Sequence, residues 1–118
     1  MRTAIVVAML LGAGRAAALD PWTAQDTALE AAFVAAVVVD WRQTHWTLDN
    51  GGYEMNPLLG PRPTDQRLGV SVLGAVAAHA VVSAVLPAKW RRWWQAVSLA
   101  GEASAVGWNV SAGARVEF

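Results

Sequence analysis

A chain of 118 residues with nine basic and nine acidic side chains has room for one domain and carries no net charge, which removes the electrostatic footprint of a nucleic-acid binder. Apolar residues make up 55% of it and charged ones 15%, against about 45–50% and about 25% in soluble domains, so the composition leans towards lipid. Cysteine is absent, which excludes disulfides, thiolate metal sites and a thiol nucleophile.

Met1 and Arg2 form a basic start ahead of a short apolar run from Thr3 to Ala13, and Ala16-Ala17-Ala18 offers the small residues that a signal peptidase needs. Residues 1–18 are therefore expected to be a signal peptide. The run is too short to span about 30 Å of hydrocarbon. Arg15 so close to the cut is untypical and leaves an uncleaved leader open. A first helix is predicted over about 23–48, capped by Asp20 or Thr23 and stopped by Asn50-Gly51-Gly52. Pro57, Pro61 and Pro63 then hold a loop open, because each drives its predecessor out of helical geometry. Thr64 or Asp65 caps a second helix over about 65–86, and Pro87 leads into a third over about 88–111. From Leu68 to Leu86 no residue is charged, and Ser71, His79 and Ser83 are the only polar side chains. A soluble bundle helix keeps a polar face, and this one has none. The expected fold class is all-α: a small three-helix membrane-associated bundle forming one domain, residues 19–118.

Lys89, Trp90, Arg91, Arg92, Trp93 and Trp94 resemble a membrane-interface anchor, with indoles at headgroup level and cations beyond them. Asp40, Gln43 and Thr44 share a face of the first helix. Ser71, Ala75, His79 and Ser83 form a row on the second, and Gln95, Ser98, Glu102, Ala105 and Asn109 a stripe on the third. Charged groups within apolar helices normally face one another or water, so Asp40, Gln43, Thr44, His79, Glu102 and Asn109 are expected to form an intramembrane polar cluster. With antiparallel neighbours, Asp40 falls opposite Ala75 and Glu102 opposite Leu73. His79 is then about 6–9 Å away along the axis, at the helical rise of 1.5 Å per residue, and opposite Gln95 or Ala96. Two carboxylates at one level cannot both ionise cheaply, so one is expected to hold a proton or to bond to His79. In the loop, Glu54, Asn56 and Pro57 are expected to act structurally. Asn56 would close an Asx-type turn, and Glu54 would accept from loop amides or cap the second helix.

No pair of histidines on one turn, no Gly-x-Ser-x-Gly elbow and no glycine-rich phosphate loop occurs. No catalytic residue, metal or cofactor is therefore expected, and the polar groups read as hydrogen-bonding glue between helices. A membrane-embedded enzyme or a proton- or ion-handling site using Asp40, His79 and Glu102 is the alternative from another class.

Asp40-Trp41-Arg42-Gln43-Thr44, Glu54-Met55-Asn56-Pro57-Leu58-Leu59-Gly60 with Pro63, Leu86-Pro87-Ala88-Lys89-Trp90-Arg91, and Glu102 and Asn109 ahead of a terminal Phe118 cover nearly the whole mature chain. This set resembles a group of small exported or membrane proteins of proteobacteria and their phages. Those carry Asp-x-x-Gln-Thr, Glu-x-Asn-Pro and Leu-Pro-x-x-Trp-Arg segments and have no established activity. A more distant likeness is to three- or four-helix membrane domains that share an Asp followed by Glu-x-Asn-Pro. The resemblance implies an architecture and no mechanism. The expected role is a non-enzymatic envelope component in contact with the lipid bilayer, in a homo-oligomer or a larger envelope complex. A phage-type lysis protein that permeabilises the bilayer is the rival. The expected location is the bacterial inner membrane, with the basic turn at Lys89 in the cytoplasm. The first helix would then lie on the periplasmic side against a two-helix hairpin, and the C-terminus would also be periplasmic.

Overall fold

The computed structural model describes residues 19–118, so the expected signal peptide lies outside the described residues. Helix α1, Ala24–Asp49, begins with a reciprocal cap: the Asp26 N–H donates to Thr23 Oγ1 at 3.2 Å, and the Thr23 N–H donates to Asp26 Oδ2 at 2.9 Å. Two otherwise orphaned amide donors are satisfied this way. Thr23→Ala is expected to cost about 1 kcal/mol, read as a lower thermal midpoint in detergent with unchanged helical content.

The end of α1 depends on glycine. Gly51, at φ +82°, donates to the Leu48 carbonyl, and Gly52 donates to that of Thr47 at 2.8 Å. This is a Schellman closure, which needs a left-handed residue after the cap. A Cβ on Gly52 would sit 2.5 Å from the Thr47 side chain and 2.9 Å from its carbonyl oxygen, so no larger residue fits. Helix α2, Asp65–Val85, is capped by Thr64, whose hydroxyl accepts from the Arg67 N–H at 3.1 Å. Leu86 takes an extended conformation, as the residue before Pro87 must. Helix α3, Ala88–Ser111, follows at once and ends on a second glycine closure at Gly113. Among the described residues there are three helices and no strand.

Helices α1 and α3 run in the same direction. Asp26 meets Arg91 and Glu30 meets Gln95, each pair 65 positions apart, while Gln43 meets Asn109 at a separation of 66. A near-constant offset over that length defines parallel, in-register helices. Helix α2 returns antiparallel to both and brings His79 and Ser83 to Glu30. Helix α1 packs against both of the others, more extensively along α3 than along α2. The N-terminal end of α1 is tied to the turn: the Ala88 N–H donates to Asp20 Oδ2 at 2.7 Å, and the Arg91 guanidinium reaches the Asp20 and Pro21 carbonyls.

The interior is mostly polar. Phe33, Val37 and Leu68 are the buried apolar side chains, whereas Asp26, Gln43, His79, Ser83, Arg91 and Gln95 are buried polar ones. Outside, Val70, Leu73, Val81 and Val85 of α2 and Val97 and Val110 of α3 are exposed. Only α2 among the described helices is long and apolar enough to cross a membrane. Its mean hydropathy is 2.0, yet only 17% of that span is buried by the rest of the chain.

Candidate functional site

The polar groups form two layers, one at each end of the bundle. The layer near the Pro87 turn is built from three pairs spaced four residues apart: Asp26 and Glu30, His79 and Ser83, Arg91 and Gln95. Residues at that spacing share a helix face, so each helix presents two polar groups to the same axis. Arg91 is fully buried. It pairs with Asp26 at 3.0 Å and donates to the Ser83, Leu86, Pro21 and Asp20 carbonyls. Its place among the expected interface anchors is thereby corrected: the guanidinium fork points inward, where an acid and the open carbonyls of the turn await donors. Lys89, Trp90, Arg92 and Trp93 do face outward, with the Lys89 ammonium 5.3 Å from the Trp90 ring centroid. Trp94 is partly covered because it stacks on His79, ring centroids 5.0 Å apart.

Glu30 is the hub of this layer. Its Oε1 lies 2.8 Å from His79 Nδ1, and its Oε2 accepts from Ser83 Oγ and Gln95 Nε2, both at 3.0 Å. The His79 ring is clamped between Trp94 and Phe33, whose centroid is 3.8 Å away. His79 is thus not brought to Asp40 and Glu102, which corrects the expected single cluster and separates the three residues of the embedded-enzyme alternative. The cause is Glu30, an acid opposite His79 on α1. Among the described residues, no group of three His, Asp or Glu side chains could hold a metal ion.

The second layer lies at the other end. Asn109 Nδ2 donates to Asp40 Oδ1 at 2.6 Å and to Gln43 Oε1 at 3.1 Å, and Gln43 Nε2 reaches the Val106 carbonyl at 3.4 Å. Asp40, Thr44, Glu102 and Asn109 line a cleft of about 710 Å³, and the loop adds Glu54 and Asn56 to its wall. Asp40 is close enough to Glu102 and to Glu54 for their charges to repel. The loop holds itself: Glu54 Oε1 accepts from the Asn56 N–H at 2.8 Å, and Asn56 Oδ1 accepts from the Leu58 N–H at 3.0 Å across Pro57. Such an Asx turn fixes the backbone from its own side chain. Glu102 has no hydrogen bond among the described residues that holds its charge. Among the described residues, no Lys, Arg or His lines this cleft.

Sequence reasoning paired His79 with the wrong acids, although the signal for Glu30 was present. The antiparallel register that sets Asp40 opposite Ala75 places Glu30 within a turn of Ser83. It also missed the aromatic wall of the cleft, Trp41, Trp46, Tyr53 and Trp108, since only the loop's fold brings Tyr53 to α3. Comparison with protein-family models, with curated proteins and with solved structures finds no match, so the functional reading rests on the geometry of the two layers.

Proposed function

We propose that the protein is a small integral component of the bacterial inner membrane, non-enzymatic, whose three helices lie in the bilayer as one bundle. The observation that carries this reading is the inverted polarity: buried Asp26, Gln43, His79, Ser83, Arg91 and Gln95 inside, and exposed Val70, Leu73, Val81 and Val85 on an apolar α2 outside. In water that surface would be a large unpaid apolar patch. In lipid the same distribution is favourable, because polar side chains find partners only within the protein. The 21 residues of α2 at 1.5 Å each match the roughly 30 Å of hydrocarbon. Helix α1 is in register with α3, so the two share one depth, with their polar stripes turned inward. Trp90 and Trp93 beside Lys89 and Arg92 suit headgroup level at the turn end.

Carbonate washing should leave the protein in the membrane pellet, and release into the soluble fraction would refute insertion. Single cysteines probed with an impermeant maleimide test the bundle's direction. Leu19 and Ala88 should label from one side, and Leu58 and Ala114 from the other. Labelling of Leu19 and Ala88 from opposite faces would contradict a bundle in which Asp20 binds the turn. Protection of both when the outer face is probed would place the basic turn in the cytoplasm.

A further inference from the structure

We infer that the exposed patch at the turn end, Lys89 and Arg92 with Trp90 and Trp93, is a docking surface for anionic phospholipids. The inference rests on the membrane reading and adds to it the class of lipid. Its ground is charge. Lys89 and Arg92 are exposed, and neither belongs to an ion pair among the described residues. The first turn of α3 carries no acid, and Asp26 and Glu30 face inward, on Arg91 and His79. Asp20 is the exposed acid at this end among the described residues, and its carboxylate is held by the Ala88 N–H. Cations at the loop end are engaged instead. Arg42 donates to the Glu117 carbonyl, Arg67 donates to that of Leu58 at 2.9 Å, and Arg62 stands 5.0 Å from the Tyr53 ring centroid. A partner drawn by negative charge is therefore met at the turn end.

The surroundings of the two cations select a lipid over a soluble acidic partner. Trp90 and Trp93 are 56% and 68% exposed, and uncovered indoles settle at the headgroup level of a bilayer, where the ring and its N–H each find their medium. From Lys89 to Trp93 the helix rises only about 6 Å, so the cations share that level. The Lys89 ammonium over Trp90 keeps its N–H donors for a phosphate oxygen, and the Arg92 fork suits two oxygens of one phosphate. Below them the surface turns apolar. Val97, four residues from Trp93 and so on the same face, is exposed, as are Val81 and Val85 near the end of α2. A phosphate at the turn with hydrocarbon along the helices beneath it is the form of a phospholipid.

The test is thermal unfolding of the full chain, followed by helical signal, in uncharged micelles doped with phosphatidylglycerol or, at equal content, with phosphatidylcholine. Whatever binds the folded state raises the midpoint, so a saturable rise is expected with phosphatidylglycerol alone, shrinking at high salt. One basic residue at an anionic lipid surface is worth about a factor of five in affinity. The lipid content at half effect should therefore rise about fivefold in Lys89→Gln or Arg92→Gln and about thirtyfold when both are replaced. Arg62→Gln combined with Arg115→Gln, which removes two cations from the opposite end, should respond as wild type. An equal rise with phosphatidylcholine, as large a rise with free glycerol phosphate or soluble polyglutamate, or a Lys89→Gln/Arg92→Gln protein that responds as wild type would overturn the assignment. So would loss of the response in Arg62→Gln/Arg115→Gln. Failure of the membrane reading shows separately. Release by carbonate refutes insertion whatever the lipid preference, whereas a chain that stays in the pellet and ignores phosphatidylglycerol refutes the docking surface alone.

Discussion

Arg91→Met is expected to destabilise the bundle by roughly 3 kcal/mol, the lower end of the range for breaking a buried ion pair by removing one partner. The lower end applies because the pair lies beside the chain turn, where water can reach the vacated space. The loss has two parts. Asp26, 1% exposed, keeps its bond from the Thr23 N–H but loses its only cationic partner among the described residues. The Ser83 carbonyl, bound by Arg91 Nε at 2.7 Å, and those of Pro21 and Asp20 lose their donor as well. Arg91→Lys should lie between wild type and Arg91→Met, since a single ammonium cannot reproduce a fork that serves five acceptors from three nitrogens. Adding Asp26→Asn to Arg91→Met should recover part of the loss, because the buried charge left behind is then removed. Denaturant unfolding in detergent, followed by helical signal, reads all four proteins. A double variant no more stable than Arg91→Met alone would show that the carbonyl contacts, and not the ion pair, carry the effect.

The helices were legible because their ends are written in local chemistry. Thr23 and Thr64 cap, Gly51 and Gly113 close, and Pro87 forces Leu86 out of the helix. None of these depends on what lies across the bundle. Asp40 and Glu102 line one cleft but do not share the level expected from the assumed turns: the α1–α3 offset of 65 sets Asp40 opposite Ala105, about 4.5 Å along the axis from Glu102 at 1.5 Å per residue. What could not be read was the direction of inward charge. Lys89-Trp90-Arg91-Arg92 looks like one basic patch in sequence, yet each residue on a helix turns by about 100°. Arg91 falls on the face that meets Asp26, while Lys89 and Arg92 fall outside it. Choosing between them requires knowing that α1 and α3 are parallel with an offset of 65, and that offset is fixed by a loop without its own periodicity. Gln43 and Asn109, by contrast, join the Asp40 layer because they are on stripes visible in either helix alone.

Glu30→Ala is expected to cost about as much as Arg91→Met, roughly 3 kcal/mol, by stranding two buried side chains at about 1–3 kcal/mol per unsatisfied polar group. His79 is 4% exposed, and its Nε2 has no partner among the described residues, so losing Glu30 leaves the imidazole without a hydrogen bond to any of them. Ser83, fully buried, loses the acceptor for its hydroxyl. Gln95 suffers less, because its amide still donates to the Asp26 carbonyl at 3.0 Å. Glu30→Gln keeps one acceptor oxygen and should lose less than half as much. A double-mutant cycle with His79→Ala isolates the pair, and their coupling should exceed about 1 kcal/mol, as for residues in direct contact within one network. The cost of His79→Ala itself should be larger than the hydrogen bond alone explains, since the ring is stacked between Phe33 and Trp94 and its removal opens a cavity. Asp65→Ala is the reference. Its carboxylate is 91% exposed and only 3.6 Å from His45, a surface contact of the kind that contributes little, so no measurable change is expected. If Glu30→Ala matched Asp65→Ala, or if Glu30→Ala and His79→Ala were simply additive, the hub would be a solvated carboxylate and the polar interior would not hold the three helices together.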